Sequence, residues 1–340
     1  MKNKIYKIII LAFCAFLTSC SKIDNSDVIN QDDLAWLDNT ETTLASDSTN
    51  NTEEIILSPG ISGNVLSSNN MPIASDTFIY KGNKMSYGFA IKNSCDYTAD
   101  ATFFIIIDGY LQPFIPEDSS LEVNSVVYRL DPGEEKIIHY SFTPISAPYG
   151  KNSVISFVGL LTNIHPVTDK INLLLNTTTA SCNRYITAEN DTCQIKLEDN
   201  KNILGDYVEK MSLAGDNQSS IMILADSKKN KANYSFPQQN DLKLSNDICI
   251  YAARISNAKL RAFLWCEGEF LDVFNGVNYA DIPYDKYALY EIPVEKSLLK
   301  GESTHYDVLY LDMDVYKQIL DGTRNLNYSI IDDFQLYTIS

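Results

Sequence analysis

The side chains of this 340-residue chain that could do chemistry are three histidines, seven cysteines and 44 carboxylates. His139, His165 and His305 show no metal-ligand spacing, and no two cysteines have the C-x-x-C spacing of zinc or redox pairs. Neither a metal nor a cofactor is therefore expected. A serine nucleophile needs a strained elbow or a supporting lysine, and G-x-S-x-G is absent. Beyond the N-terminal segment the pattern S-x-x-K occurs at Ser256-Asn257-Ala258-Lys259 and at Ser297-Leu298-Leu299-Lys300. Neither copy has the S-D-N or K-T-G that accompanies it in an acyl-transfer site, so both read as chance. Paired acids occur at Glu134-Glu135, Asp312/Asp314 and Asp332-Asp333. Glycoside hydrolysis needs two carboxyl groups about 5 to 9.5 Å apart in a cleft, and neighbours in sequence on a solvated face do not make one. No calcium loop of the D-x-D-x-D-G type and no glycine-rich phosphate loop is present. No catalytic residue is nominated, and the chain reads as a non-enzyme.

Aromatic residues offer a different chemistry. Tyrosine is abundant at 21 and tryptophan scarce at 2. Tyr279, Tyr284, Tyr287 and Tyr290 gather around Pro283. Exposed on a loop, they would give a large, rigid contact area for a sugar ring or a peptide. They are the candidate binding residues.

The elements that must position these residues are strands. From about residue 58, short apolar or alternating runs are separated by Asn, Asp, Gly, Ser and Pro. Strands are predicted near 77–82, 86–93, 100–108, 121–130, 135–143, 153–161 and 170–176, with a turn at Asp131-Pro132-Gly133-Glu134. Residues 179–214 are polar and read as an irregular connection. From 215 a second β-rich stretch resembles a worn copy of the first. Thr102-Phe103-Phe104 through Asp108-Gly109-Tyr110-Leu111 to Phe114 parallels Ala262-Phe263-Leu264 through Glu267-Gly268-Glu269-Phe270 to Phe274. Pro132-Gly133-Glu134 leading to His139-Tyr140 parallels Lys300-Gly301-Glu302 leading to His305-Tyr306. A hairpin is expected from Ile248–Ser256 and Lys259–Glu267 around Asn257-Ala258, which would set Cys249 opposite Cys266. A short helix is expected at Val315–Leu320 and a last strand at Gln335–Ile339. The predicted fold class is mainly β: two tandem Ig-like antiparallel β-sandwich domains, 58–178 and 215–340.

The N-terminus is of another kind. Lys2, Lys4 and Lys7 precede a ten-residue apolar run, Ile8 to Leu17, and then Leu17-Thr18-Ser19-Cys20. The run is too short to span a bilayer, which takes about 20 residues, but has the form of an export signal with its cleavage site. At these residues the chain resembles bacterial lipoproteins, whose lipobox places two small residues between Leu and the lipidated cysteine. The resemblance covers only about the first 22 residues. It implies a signal peptide over 1–19, export, and a diacylglyceryl thioether on Cys20 with acylation (palmitate, for example) of its new amino group. One acyl chain holds a protein to a membrane marginally, whereas two or three hold it firmly.

Charge fits that anchor. The formal net charge is −17. Without the three leader lysines, 24 basic residues face 44 acidic ones, a charge of −20. Such a surface disfavours nucleic acid and anionic lipid alike, which leaves the acyl chains as the expected membrane contact. Residues 20–57 carry nine acids against Lys22 alone and read as a disordered tether. As a flexible coil it would span roughly 35 Å.

With Cys14 in the leader and Cys20 lipidated, Cys95, Cys182, Cys193, Cys249 and Cys266 remain. An odd number leaves one without an intramolecular partner. Cys182 and Cys193 are the candidate local disulfide; closing so short a loop is worth up to about 3 kcal/mol. Cys249 and Cys266 are either a second disulfide or two buried thiols, the commoner arrangement for cysteine in a core. The expected protein is a lipid-anchored, surface-exposed envelope lipoprotein that binds a protein or glycan. An envelope hydrolase and a structural accessory of an envelope complex are the rival readings.

Overall fold

The computed structural model describes residues 60–145, 152–162, 179–189, 202–210, 221–226, 241–242, 247–253, 259–282, 288–299, 304–327 and 331–339. The signal segment, Cys20, the acidic tether, the expected strand at 170–176, His165, Cys193, Tyr284 and Tyr287 lie outside the described residues. Pro59–Ser340 forms one compact unit, apart from Met1–Ser58.

The first ten strands are β1 (Ile61–Leu66), β2 (Thr77–Tyr80), β3 (Met85–Asn93), β4 (Ala99–Ile107), β5 (Tyr110–Leu111), β6 (Ile115–Pro116), β7 (Ser125–Leu130), β8 (Glu135–Phe142), β9 (Ser153–Leu161) and β10 (Thr179–Ala188). One sheet runs β1-β3-β8-β6, and the other runs β2-β10-β9-β4-β5 with β7 added on β4. This is the two-sheet order of an immunoglobulin-like sandwich, with extra strands on the second sheet. β2 pairs with β10 in parallel.

The next ten strands are β11 (Asp206–Lys210), β12 (Ile221–Asp226), β13 (Asp241–Leu242), β14 (Ile248–Ala253), β15 (Leu260–Cys266), β16 (Glu269–Phe270), β17 (Ala280–Asp281), β18 (Ala288–Pro293), β19 (Thr304–Asp312) and β20 (Ile331–Ile339). A helix, α1 (Met313–Leu320), lies between β19 and β20. The sheets run β12-β14-β18-β11 and β13-β20-β19-β15-β16, with β17 on β15. The order of the first sandwich returns strand for strand, down to the parallel pairing of β13 with β20. One position differs: the place beside β18 is filled by β11, which precedes its sandwich in the chain, whereas β6 lies beside β8.

Burial follows from pattern. β8 alternates, and Ile138, Tyr140 and Phe142 enter the first core while its other face meets water. The central strands β4, β9 and β15 instead read as nearly unbroken apolar runs, and they are buried on both faces. One face of β4 (Phe103, Ile105, Ile107) fills the first core with Phe89 and Phe157. The other face (Phe104, Ile106) joins Val158 of β9, Phe263 and Trp265 of β15, Leu309 of β19 and Ile319 of α1 in a third apolar layer. The two sandwiches therefore meet back to back through their larger sheets. Each such side chain contributes about 1.5–3 kcal/mol on burial.

Four expectations need correction. Residues 179–214, read as irregular, supply β10 to the first sandwich and β11 to the second. The hairpin of 248–256 with 259–267 does not form. β14 pairs with β12 and β18, and β15 with β19, β16 and β17, in different sheets. Cys249 thus stands opposite Ala225 and Pro293, and Cys266 opposite Tyr306 and Glu269, so neither is the other's cross-strand partner. Both enter the core between the sheets. The alternating register misled because 260–266 is buried on both faces, and any offset then looks apolar. The repeat match at the glycines holds, because Asp108-Gly109 and Glu267-Gly268 turn equivalent strands with φ of 50° and 85°, and 44° and 97°. Counted from those turns, however, Phe263 corresponds to Phe104, not Phe103, and both of these face the seam. The histidine match fails outright: His139 lies on β8, and His305 on β19, the counterpart of β9.

Candidate functional site

Among the described residues two places gather polar groups: the seam between the sandwiches, and a groove on the first sandwich. At the seam, Arg261 of β15 stands opposite Asp281 of β17. Its Nε and Nη2 donate to the two Asp281 oxygens at 2.6 and 2.9 Å, and Nη1 donates to the Gly109 carbonyl at 3.0 Å. The guanidinium lies 4.2 Å from the Tyr110 ring centroid and 4.1 Å from that of Tyr279. Burial works against this charge, but the Asp281 carboxylate and then Tyr110 outweigh it, so Arg261 is held above its ordinary range. Three more hydrogen bonds cross the seam. Ser125 Oγ donates to the Gly268 carbonyl, Asn183 Nδ2 to the Leu326 carbonyl and the Tyr185 hydroxyl to the Ile319 carbonyl. The positive-φ turns at Gly109 and Gly268 thus present carbonyls as acceptors across the seam. A planar, bidentate, stacked arginine fixes orientation; this is a lock, not a reaction centre.

Further along β19, Asp307 is buried, and among the described residues neither carboxylate oxygen has a hydrogen-bond partner. Burial alone pushes its carboxyl well above the ordinary range. Its cross-strand neighbour Trp265 faces the seam, and among the described residues its indole N–H also has no partner.

The groove is lined by Glu117, Asp118, Tyr128, Lys136, Ile137, Ile138 and His139, and has a volume of about 190 Å³. Glu117 is placed by its own N–H, which donates to the His139 carbonyl at 2.9 Å. The Lys136 ammonium lies 4.7 Å from the Tyr128 ring centroid. Burial, and then the Asp118 charge, pushes Tyr128 up to about 12, so near neutral pH its hydroxyl is protonated and donates. The groove offers carboxylate acceptors, the Lys136 ammonium as a donor and the apolar edge of Ile137 to a bound group. It holds no serine or cysteine to act as a nucleophile.

Of the four expected binding tyrosines, the two that lie among the described residues are not exposed on a loop. Tyr279 is buried in the seam and Tyr290 in the second core. The two lie in different layers, since Tyr279 packs on Arg261 while Tyr290 is an inward position of β18. Three of the paired acids bond backbone. Glu134 accepts the Asp131 N–H at 2.7 Å, Asp312 caps α1 by accepting from Asp314 and Val315, and Asp314 accepts from Lys259 N–H at 3.2 Å. The Ser297 hydroxyl donates to Glu295. Cys182 is buried on β10, and Cys95 is a buried thiol beneath Asn93. Among the described residues no group of three or more His, Cys, Asp and Glu could hold a metal ion, and no helix is long and apolar enough to cross a membrane. The groove went unread because Glu117-Asp118 looks like any polar turn, and Tyr128 and Lys136 meet only when the Asp131–Glu134 turn folds β7 back to β8.

No family model matches the chain, and no curated protein does. Among solved structures, the chain is similar to the E. coli chaperone DraB at 12% identity, over 75% of this chain and 94% of that one, with a TM-score of 0.25. The Salmonella enterica SafB chaperone, in complex with the SafA pilin, matches at 10% identity over 82% and 96%, with a TM-score of 0.23. A CARDB domain from Pyrococcus furiosus, solved with di-metal ions, matches at 12% identity over 39% and 97%, with a TM-score of 0.25. The fold assignment rests on the sheet order above.

Proposed function

We propose that this protein is an exported lipoprotein, held in the cell envelope by acyl chains on Cys20, that binds a protein or glycan without acting on it chemically. The observation that carries the reading is the fate of the carboxylates. Glu134, Asp312 and Asp314 bond backbone N–H groups, and Asp281 is held by Arg261, so these acids are structural. Among the described residues, a polar groove on the first sandwich stays open to a ligand. The acidic tether, charge-repelled from an anionic membrane face, would hold the sandwiches clear of the lipid. Glycan-array and envelope pull-down measurements with the full-length protein test the reading. Saturable binding with the bound polymer recovered intact is expected. Cleavage of the polymer would turn the reading to a hydrolase, and no binding would sink it.

A further inference from the structure

The two sandwiches differ at one edge. In the second, β11 covers the edge of β18, pairing Asp206↔Glu291, Tyr207↔Tyr290, Glu209↔Leu289 and Lys210↔Ala288. In the first, the corresponding edge of β8 is paired by β6 alone, at Ile115↔Ser141 and Pro116↔Tyr140. The chain then leaves. Glu117 N–H still reaches the His139 carbonyl, but Ser119 N–H turns back to the Pro116 carbonyl at 3.1 Å. Beyond that point no described residue pairs with β8 on this side, and the groove lies there.

Backbone direction makes this edge a template. Residues of an antiparallel strand turn their N–H and C=O alternately to one neighbour and the other. Since the His139 carbonyl points to the β6 side, Ile137, two residues earlier, presents its N–H and C=O to the same side. Lys136 and Ile138 turn theirs to β3. Ile137 is 38% exposed.

We propose that the groove beside Lys136–His139 takes an extended, basic peptide segment of a partner protein as an added strand, in the place that β11 fills in the second sandwich. The proposal rests on the binding reading above and narrows it to a protein ligand. At about 3.4 Å per residue the open edge accommodates three to five residues. Main-chain bonds to Ile137 supply the attachment, as in other strand additions. Glu117 and Asp118 on the wall outnumber Lys136, whose ammonium is held over the Tyr128 ring, so the wall selects Lys or Arg. The net charge of −17 speeds encounter with a basic partner and opposes a second copy of this chain.

The test uses full-length protein in detergent micelles with a fluorescent heptapeptide of alternating Lys and Val. Controls are the same peptide N-methylated at alternate residues, and one with Ser for Lys. Binding is read by anisotropy, and the backbone contact by amide exchange at Ile137. The Lys–Val peptide is expected to bind and to slow Ile137 exchange, and the N-methylated peptide to bind at least tenfold more weakly. Ile137→Pro removes only the outward N–H, which a sheet edge tolerates, and should weaken binding at least tenfold. Glu117→Gln with Asp118→Asn, which leaves the backbone intact, should weaken the Lys peptide several-fold and spare the Ser peptide. Equal binding of the methylated peptide, or no slowing at Ile137, overturns the proposal. If the Lys–Val peptide fails while envelope material is still captured equally by wild type and Ile137→Pro, the groove is wrong and the binding reading stands. If nothing is captured either, both fall.

Discussion

Replacing Arg261 with alanine should loosen the whole folded unit, because residues of both sandwiches converge on one guanidinium. The substitution strands Asp281, frees the Gly109 carbonyl and opens a gap between the Tyr110 and Tyr279 rings. Removing one partner of a buried ion pair costs about 3–5 kcal/mol. The Asp281 side chain is 19% exposed, so water relieves part of that penalty and the lower end, about 3 kcal/mol, applies. The two ring contacts add at least about 0.5 kcal/mol each. A loss of roughly 4 kcal/mol should lower Tm by about 8–16 °C in a unit of this size. Calorimetry and urea unfolding at pH 7 measure it, and a single transition splitting into two would show the sandwiches uncoupled. Arg261→Lys should recover little, since a point charge cannot fork onto Asp281 or stack as a plane. A cost for Arg261→Ala below about 1 kcal/mol would refute the view of this residue as the lock of the seam.

Other outcomes follow from the same geometry. Gly63→Ala should cost about 2–3 kcal/mol by urea unfolding, because its Cβ would meet the buried Phe89 ring at 2.4 Å. Gly133→Ala should cost only about 1 kcal/mol, the strain of its φ of +76°, since nothing lies within 4 Å. The raised pKa of Asp307 means that the folded state holds a proton which the unfolded chain releases near pH 4. The associated stability is fully present below that pH and is lost as pH rises toward the folded value. Asp307→Leu should therefore flatten the decline in Tm across that window and raise Tm at pH 7; an unchanged pH profile would contradict this. Cys20→Ser should release the protein from the membrane fraction into the soluble fraction, and pelleting as before would contradict lipid anchoring.

Much of the fold is legible in the sequence. Residues 77–80, 85–93, 99–107, 125–130, 135–142 and 153–161 form strands where alternation or short apolar runs place them. Pro132-Gly133 makes its turn, with Glu134 N–H bonded to the Asp131 carbonyl at 2.9 Å. The helix and the last strand are also found. Two things could not be read. β10 carries Ser181, Asn183 and Tyr185 toward a polar part of the seam, so its sequence looks like a loop until the partner surface at Leu326 and Ile319 is present. The run Leu260–Cys266 has no alternation to fix a register, because both faces are buried. Its partner could not be chosen from local pattern, and the weak turn Asn257-Ala258 invited the wrong one. The tyrosines failed for a related reason. Tyr279 is needed against Arg261, and nothing near it in sequence announces a partner contributed by Gly109 and Tyr110.

Protease shaving of intact cells, followed by detection of residues 59–340, tests most directly whether this is a binding module displayed on a lipid anchor. The account predicts that the folded unit is cut from, or is accessible on, intact cells while a periplasmic or cytoplasmic marker survives. Full protection of the unit on intact cells, with cleavage only after lysis, would contradict it.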